Sequence, residues 1–191
     1  MTEFDKKILD DGTIKLEGSC VLSDPFYNPG TWCHAALTDI KSGTWNCCHM
    51  SEHIVSGISG KQYDMGERVA WMLAAHESLR DTDIKDITEN MFPLAYAPEH
   101  FILPESNTEQ KLCLGVDSAM FSIQTPESFA RNAEDEDFLE KIESVMSKEQ
   151  AMTKDGMFAT ETGLGDGSYD AYILTDENDN DNVSAILVRF L

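Results

Sequence analysis

The stretch Gly163-Leu164-Gly165-Asp166-Gly167-Ser168-Tyr169 decides how the end of the chain is built, because it joins a glycine turn to a strand. Three glycines in five residues let the backbone adopt positive φ angles without a clash from a Cβ atom. Residues 169–174 then alternate in a pattern rich in β-forming side chains. Such a string is either a plain turn or a place where the backbone approaches a ligand or another strand closely. The candidate backbone site within it consists of Gly165, Gly167, Ser168 and Tyr169.

A second strand pattern follows the first after an acidic loop. Residues 175–182 are almost all acidic or amide residues, which is typical of a solvated hairpin tip. Residues 183–190 alternate again between two faces. The end of the chain therefore predicts a β-hairpin that closes the fold.

The rest of the chain repeats this β-rich character around one helix. Short strand patterns separated by turn residues lie at 13–16, 19–22, 31–37, 44–50, 112–116 and 120–123. An apolar stripe at helical spacing is formed by Phe138, Leu139, Ile142, Val145 and Met146. Acidic residues at 134–137 suit the electropositive start of that helix. The sum predicts an α+β, β-rich single domain with antiparallel, sandwich-like sheets and one main amphipathic helix near 134–148.

Several segments are assigned by local composition alone. Residues 1–11 are polar and predict a loose lead-in, and residues 41–43 and 56–60 predict turns or loops. Residues 69–76 suit either a helix or a buried strand. Residues 81–111 are acidic and interrupted by three prolines, which predicts a loop insertion within the single domain 1–191.

Composition bounds the class of protein. A chain of 191 residues with 41% apolar residues can form a core without a metal or a disulfide, and we expect no cofactor. No window is apolar enough for a membrane span, and the first residues do not resemble a secretory signal. Five cysteines are an odd number without scaffold-like spacing, so we expect reduced thiols and a cytoplasmic protein.

The charge is the outlier of the composition. The chain carries 35 acidic residues against 14 lysines and arginines, for a net charge of −21. Such a charge disfavours direct binding to nucleic acid or to an anionic membrane, and no feature indicates an oligomeric state. It favours a basic protein as partner, with DNA mimicry as one form if the acids share one face. Solubility alone is the other explanation.

Several separated strings together resemble the domain-of-unknown-function 4241 family (DUF4241). They are residues 18–27 with 30–33, residues 68–70, residues 115–118 and residues 165–170, in the family's order. The resemblance implies a cytosolic protein of bacterial or phage origin and favours a strand over a helix for residues 68–76. It transfers no activity. The chain departs from the family at Ala119, where a glycine commonly follows the Asp-Ser pair.

Two sets of side chains are candidates for chemistry. Asp24, Asp117 and Asp166 each lie at a predicted strand end, where they could share Mg²⁺ or Ca²⁺, act in acid–base catalysis, or bond their own backbone. Cys33, Cys47, His49 and His53 are weaker candidates for zinc, since the histidine spacing fits but no Cys-x-x-Cys knuckle is present. Ordinary buried cysteines are the alternative.

The sequence contains no phosphate loop, dinucleotide fingerprint or recognisable nucleophile–base pair. We therefore expect a non-enzymatic acidic binding protein of bacterial or phage origin, such as an inhibitor or counter-defence factor acting on a macromolecular partner. One alternative is a small-ligand or metal-dependent hydrolase site on the three aspartates. Another is sequestration of a nucleotide signal, which needs a basic pocket from residues such as Lys15, Arg68, Arg80 or Arg131.

Overall fold

The fold is a large, mainly antiparallel β-sheet with three short helices in its connections. A computed structural model describes residues 6–58, 61–92, 98–109, 111–132, 135–146, 149–179 and 182–191. In these residues the strands are β1 (Lys7–Ser23), β2 (Ala35–Ile58), β3 (Lys61–His76), β4 (Phe101–Ile102), β5 (Leu114–Val116), β6 (Met120–Gln124), β7 (Ala151–Lys154), β8 (Met157–Glu161), β9 (Gly167–Asp176) and β10 (Asn182–Arg189). The helices are α1 (Ile84–Asp86), α2 (Pro126–Asn132) and α3 (Glu136–Met146). The predicted β-rich class is confirmed, and the sandwich-like arrangement stays a prediction.

One sheet contains all of these strands. Its order is β5-β9-β10-β3-β2-β1-β6-β8-β7, with β4 paired to β2. The described pairings are antiparallel apart from a bridge between Val183 and Ile40. A single buried apolar cluster takes side chains from every strand, including the fully buried Trp45, Phe121 and Phe158. Because strands distant in the sheet order share this core, the sheet must curl around it.

The long first strand bends at two glycines. The register of β1 against β2 shifts next to Gly12 and again on both sides of Gly18. Both glycines have positive φ angles, 92° and 69°, which only glycine adopts without strain. Bulges of this kind bend a strand and increase its twist. They allow one strand to follow a strongly curved sheet.

Two covers bury the outer face of the sheet. The apolar side of α3, with Phe138, Ile142 and Met146, packs on Met152 and Met157. On the other half of the sheet, the segment 77–92 places Ile87 and partly buried neighbours against residues of β3 and β10. The predicted helix is thus confirmed over Glu136–Met146, while residues 133–134 and 147–148 lie outside the described residues.

Several local predictions are wrong because strand pairing overrides local polarity. The lead-in expected over residues 1–11 is strand from Lys7 onward, paired with Ser51 of β2; residues 1–5 lie outside the described residues. The turn at 41–43 and the loop from 56 lie inside β2, which continues to Ile58; residues 59–60 are not among those described. Residues 68–76 form a strand, as the family resemblance implied.

The segment 81–111 contains more regular structure than a plain loop. Helix α1 continues into a π-helical turn at Ile87–Met91, and β4 pairs with β2. Its status as an insertion stays a prediction, and residues 93–97 and 110 lie outside the described residues. Within the described part of the chain, no helix has the length and apolar character needed to cross a membrane.

Candidate functional site

A cavity of about 700 Å³ opens where five separate stretches of sequence meet. Its walls come from three residues after β1, Met65 and Arg68 of β3, residues 117–120 around the β5–β6 turn, Met146 of α3, and residues 161–165 at the end of β8 and beyond it. The three residues after β1 are Asp24, Phe26 and Tyr27. We call it the aspartate–glycine cavity. Each of the four strings that carry the family resemblance contributes residues to it. Three-dimensional folding has therefore brought the most distinctive parts of the sequence to one place.

Asp24 is a fully enclosed anchor of this site. Its side chain is 0% exposed. Oδ1 accepts hydrogen bonds from Phe26 N at 2.9 Å and from Ser118 Oγ at 2.8 Å. Oδ2 accepts from Asp117 N at 3.0 Å and from Ser118 N at 2.9 Å. With four donors around its two oxygens, this carboxylate ties the loop after β1 to the β5–β6 turn and has little capacity left for an ion.

Asp117 and Asp166 also accept hydrogen bonds that link neighbouring loops at this site. Asp166 Oδ1 accepts from Ala119 N at 3.0 Å, which links the glycine turn to the β5–β6 turn. Asp117 Oδ2 accepts from the Tyr27 hydroxyl at 3.0 Å. Burial, followed by the bonds to Cys33 and Asp117, raises the pKa of Tyr27, so this hydroxyl stays protonated and donates. All three predicted aspartates thus meet at one corner, where each holds a donor from another loop.

The β5–β6 turn holds Ala119 in a backbone conformation that favours glycine. Ala119 has a φ of 57°, in the left-handed region that favours glycine. A glycine at this position would relieve the strain between Cβ and backbone. The backbone conformation is fixed by the bond to Asp166 and by the Thr162 N–H, which donates to the Ala119 carbonyl at 2.9 Å.

The glycine turn divides into a wall of the cavity and the start of a strand. Gly163 packs so tightly that a Cβ atom there would clash with the Val69 carbonyl oxygen. Gly165 has a φ of 92°, and its carbonyl accepts from Thr162 Oγ1 at 2.6 Å and from the Tyr169 hydroxyl. Gly167 and Ser168, in contrast, begin β9 and pair with β5, away from the lining of the cavity. The glycine turn is therefore a place where the backbone at Gly163 packs directly against the backbone of β3 at Val69.

Two side chains of opposite charge line this cavity without partners in the described part of the chain. One is Arg68, whose guanidinium, including its buried Nε atom, has no hydrogen-bond partner there. Glu161 also lines the cavity, and its side chain makes no hydrogen bond or ion pair with the residues that the structure describes. Burial raises the pKa of Glu161, while the charges of Arg68 and His49 act in the opposite direction. The sequence analysis names Arg68 only as a basic residue for a nucleotide pocket. It does not identify Glu161, for which the one signal in the sequence is its position just before the glycine turn.

The cysteines near the predicted zinc site pack in different parts of the protein. Cys47 belongs to the inner core and its neighbour Cys48 to the outer face. Burial raises the pKa of the Cys47 thiol, and it raises that of Cys48 to about 12, which opposes the thiolate form that zinc needs. Cys33 packs beside Gly115. In the described part of the chain, no group of three or more His, Cys, Asp or Glu side chains is arranged for a metal ion.

Both candidate histidines have carboxylate partners. His53 Nε2 lies 2.9 Å from Asp64 Oδ1 at the surface. His49 is only 3% exposed, and its Nδ1 lies 2.8 Å from Asp11 Oδ2. The Nε2 atom of His49 is buried and has no partner in the described structure. Nothing in the sequence pointed to this buried His–Asp pair, since Asp11 was assigned to a loose lead-in.

The bases proposed for a nucleotide pocket do not form one. Of Lys15, Arg68, Arg80 and Arg131, only Arg68 lines the aspartate–glycine cavity. Arg80 lines another cavity and lies 3.7 Å from Asp81, and Arg131 donates to the Asp155 carbonyl at 3.0 Å. The positive charge in the cavity is thus a single guanidinium among the described lining residues.

Comparison of the chain with protein-family models, with curated proteins and with solved structures finds no match. The resemblance to DUF4241 therefore stays a prediction, and the function has to be argued from the geometry of the cavity.

Proposed function

We propose that the protein is a non-enzymatic binding protein and that the aspartate–glycine cavity is its site for a small polar ligand. One observation carries this proposal: Arg68 lines the cavity, and its guanidinium group makes no hydrogen bond or ion pair with the residues that the structure describes. A buried donor without a hydrogen bond costs roughly 1–3 kcal/mol, and more for a charged group. A ligand acceptor in the cavity would remove that cost. The volume of about 700 Å³ lies within the range of about 300–1,000 Å³ that is usual for ligand pockets.

The occupancy of the polar groups argues against a metal ion shared by the three aspartates. Both hydroxyls beside the aspartates donate to carboxylates, Ser118 to Asp24 and Tyr27 to Asp117. The Asp24 oxygens are filled by four donors. An ion shared by three carboxylates needs a free oxygen on each of them. Because both oxygens of Asp24 are occupied, we do not propose metal-dependent hydrolysis that uses all three aspartates together.

A thermal-shift screen tests the proposal. The probes are free amino acids, simple carboxylates, primary amines, nucleoside monophosphates and Mg²⁺, each added to the wild-type protein and to Arg68→Gln. A ligand present at 100 times its Kd stabilises by about 2.7 kcal/mol, which raises the Tm of a chain of this size by several degrees. We expect at least one probe to do this in the wild type and not in Arg68→Gln.

The control variant is Lys15→Gln, which removes one exposed positive charge outside the lining of the cavity. It should respond to the same probe as the wild type does. Equal shifts in the wild type and in Arg68→Gln, or no shift with any probe, would contradict the proposal.

The net charge of −21 supports a second function, association with a basic macromolecule. Several of the few bases are already neutralised within the chain, as Lys41 is by Asp176 at 2.7 Å and by Asp179 at 3.3 Å. Most acidic side chains therefore have no basic side chain to pair with inside the protein, and their charge can attract a basic partner. An inhibitor or counter-defence factor in the cytoplasm of a bacterium, whether encoded by the host or by a phage, would use such a field to speed association.

This second function has its own measurement. A pull-down from bacterial lysate should recover a basic protein, and its association rate should fall steeply between low and high salt because exposed charges are screened. Recovery that does not change with salt, or no specific partner at low salt, would count against it.

A further inference from the structure

Arg68 and Glu161 form an open pair of opposite charges across one cavity. Both line the aspartate–glycine cavity, and neither makes an ion pair with the other or with another described residue. They are still close enough for the charge of Arg68 to act against the effect of burial on the pKa of Glu161. The two charges therefore line one cavity and influence each other without forming an ion pair, and the cavity beside them is large enough for a small ligand.

Such a pair is unfavourable while it is empty. A half-buried charge loses part of its hydration, and the loss is recovered only through a partner of opposite charge with good geometry. Lys41 and His49, in contrast, each have a carboxylate partner within 3 Å, Asp176 at 2.7 Å and Asp11 at 2.8 Å. A ligand that carries both an anionic and a cationic group would satisfy both unpaired residues at once.

The other lining residues indicate the rest of the ligand. Three methionines, Met65, Met120 and Met146, face the cavity together with Phe26 and Leu164. Methionine side chains are flexible and polarisable, so they adapt to apolar groups of different shape. Leu164 is 62% exposed, which leaves apolar surface at the rim of the cavity. The lining thus offers two charged contacts and an apolar wall.

The overall charge narrows the choice further. A net charge of −21 repels an anionic ligand, whereas a zwitterion carries no net charge and is not repelled. We infer that the cavity binds a small zwitterion with an apolar side chain, either a free α-amino acid or the zwitterion of a short peptide. Its carboxylate contacts Arg68 and its ammonium group contacts Glu161. This inference rests on the proposed function, namely that the cavity is a ligand site.

Binding measured by calorimetry with matched analogues tests the inference. The probes are L-leucine, isoamylamine, which lacks the carboxylate, 4-methylpentanoate, which lacks the ammonium group, and the dipeptide Leu-Leu. Each hydrogen bond to a charged group is worth about 10- to 100-fold in affinity. We expect L-leucine to bind at least about tenfold more tightly than either analogue with one charge.

Two variants separate the two contacts. Arg68→Gln should weaken L-leucine about 10- to 100-fold and leave isoamylamine unchanged, because the amine does not use Arg68. Glu161→Gln should weaken L-leucine by a similar factor and leave 4-methylpentanoate unchanged. The unchanged analogue shows in each case that the variant is folded, and Lys15→Gln should match the wild type with every probe.

The outcomes distinguish this inference from the function on which it rests. If the analogues bind as tightly as L-leucine, or if another probe binds through Arg68 while neither leucine nor Leu-Leu binds, the zwitterion is wrong and the ligand site stands. If no probe of either panel binds, both fail. Tighter binding of Leu-Leu than of leucine supports a zwitterionic ligand and indicates that this ligand is a short peptide.

Discussion

The two sides of the aspartate–glycine cavity differ in how their polar groups are satisfied. On one side, the buried Asp24 carboxylate receives four hydrogen bonds at 2.8–3.0 Å. On the other side, the guanidinium of Arg68 and the carboxyl group of Glu161 line the cavity and have no hydrogen-bond or ion-pair partner among the described residues. A saturated buried group holds the fold together, whereas an unsatisfied one is available to a ligand. We call the residues around Asp24 the framework side and Arg68 with Glu161 the recognition side, in line with the ligand site that we propose.

The largest expected effect tests the framework side. Asp24→Ala removes the acceptor for three backbone N–H groups and the Ser118 hydroxyl, all of which then lie near or in the interior. We expect a loss of about 3–5 kcal/mol in the free energy of unfolding, because buried donors without partners are costly. Urea unfolding followed by circular dichroism measures it. A loss below about 1 kcal/mol would mean that Asp24 is not an anchor.

Gly163→Ala tests the same side through the backbone. A Cβ atom at this position would clash with the Val69 carbonyl oxygen and lie 3.0 Å from the Leu191 side chain. Overpacking of this kind costs about 1–3 kcal/mol. Gly57→Ala is the matched control, since no atom of the described residues lies within 4 Å of a Cβ atom there. Equal stabilities of the two variants in the same urea titration would contradict the close approach.

Ala119→Gly is expected to stabilise the protein. The φ of 57° strains an alanine, and glycine removes that strain at the cost of a more flexible unfolded chain. The balance favours the variant by about 0.5–1 kcal/mol. A raised Tm in a thermal scan would sharpen the assignment of this turn to the framework side. A lowered Tm would show that the alanine methyl group makes contacts that outweigh its backbone strain.

The smallest expected effect tests the recognition side through pH. The pKa of Glu161 is raised above its ordinary 4.5 by burial, so folding takes up a proton and stability falls as pH rises above that value. Glu161→Gln should therefore be more stable than the wild type at pH 7, by roughly 0.5 kcal/mol given solvent screening. The difference should vanish below pH 4.5. A destabilised Glu161→Gln at pH 7 would mean that Glu161 is a framework residue.

The local sequence pattern was sufficient to predict α3 and the β9–β10 hairpin, because each has a clear periodicity of apolar residues. The stripe from Phe138 to Met146 predicted α3, and alternation predicted the β9–β10 hairpin with its acidic tip. For the polar stretch after Lys7 and the residues around Gly43 and Ser56, local composition predicts loops and turns. These segments are strand because neighbouring strands supply hydrogen bonds that local composition does not reveal.

The sequence by itself determined a β-rich chain with one amphipathic helix, a strong negative charge, and three aspartates at strand ends. These properties depend on residue type and on spacing along the chain, which fixes side-chain direction in a helix or a strand. Only the tertiary structure decided that the aspartates meet, that Asp24 is saturated, and that Arg68 and Glu161 are not. Whether a carboxylate supports the fold or awaits a ligand depends on the donors around it. Three of the four donors to Asp24 come from Asp117 and Ser118, 93 or 94 positions away in the sequence, and Glu161 has no donor among the described residues.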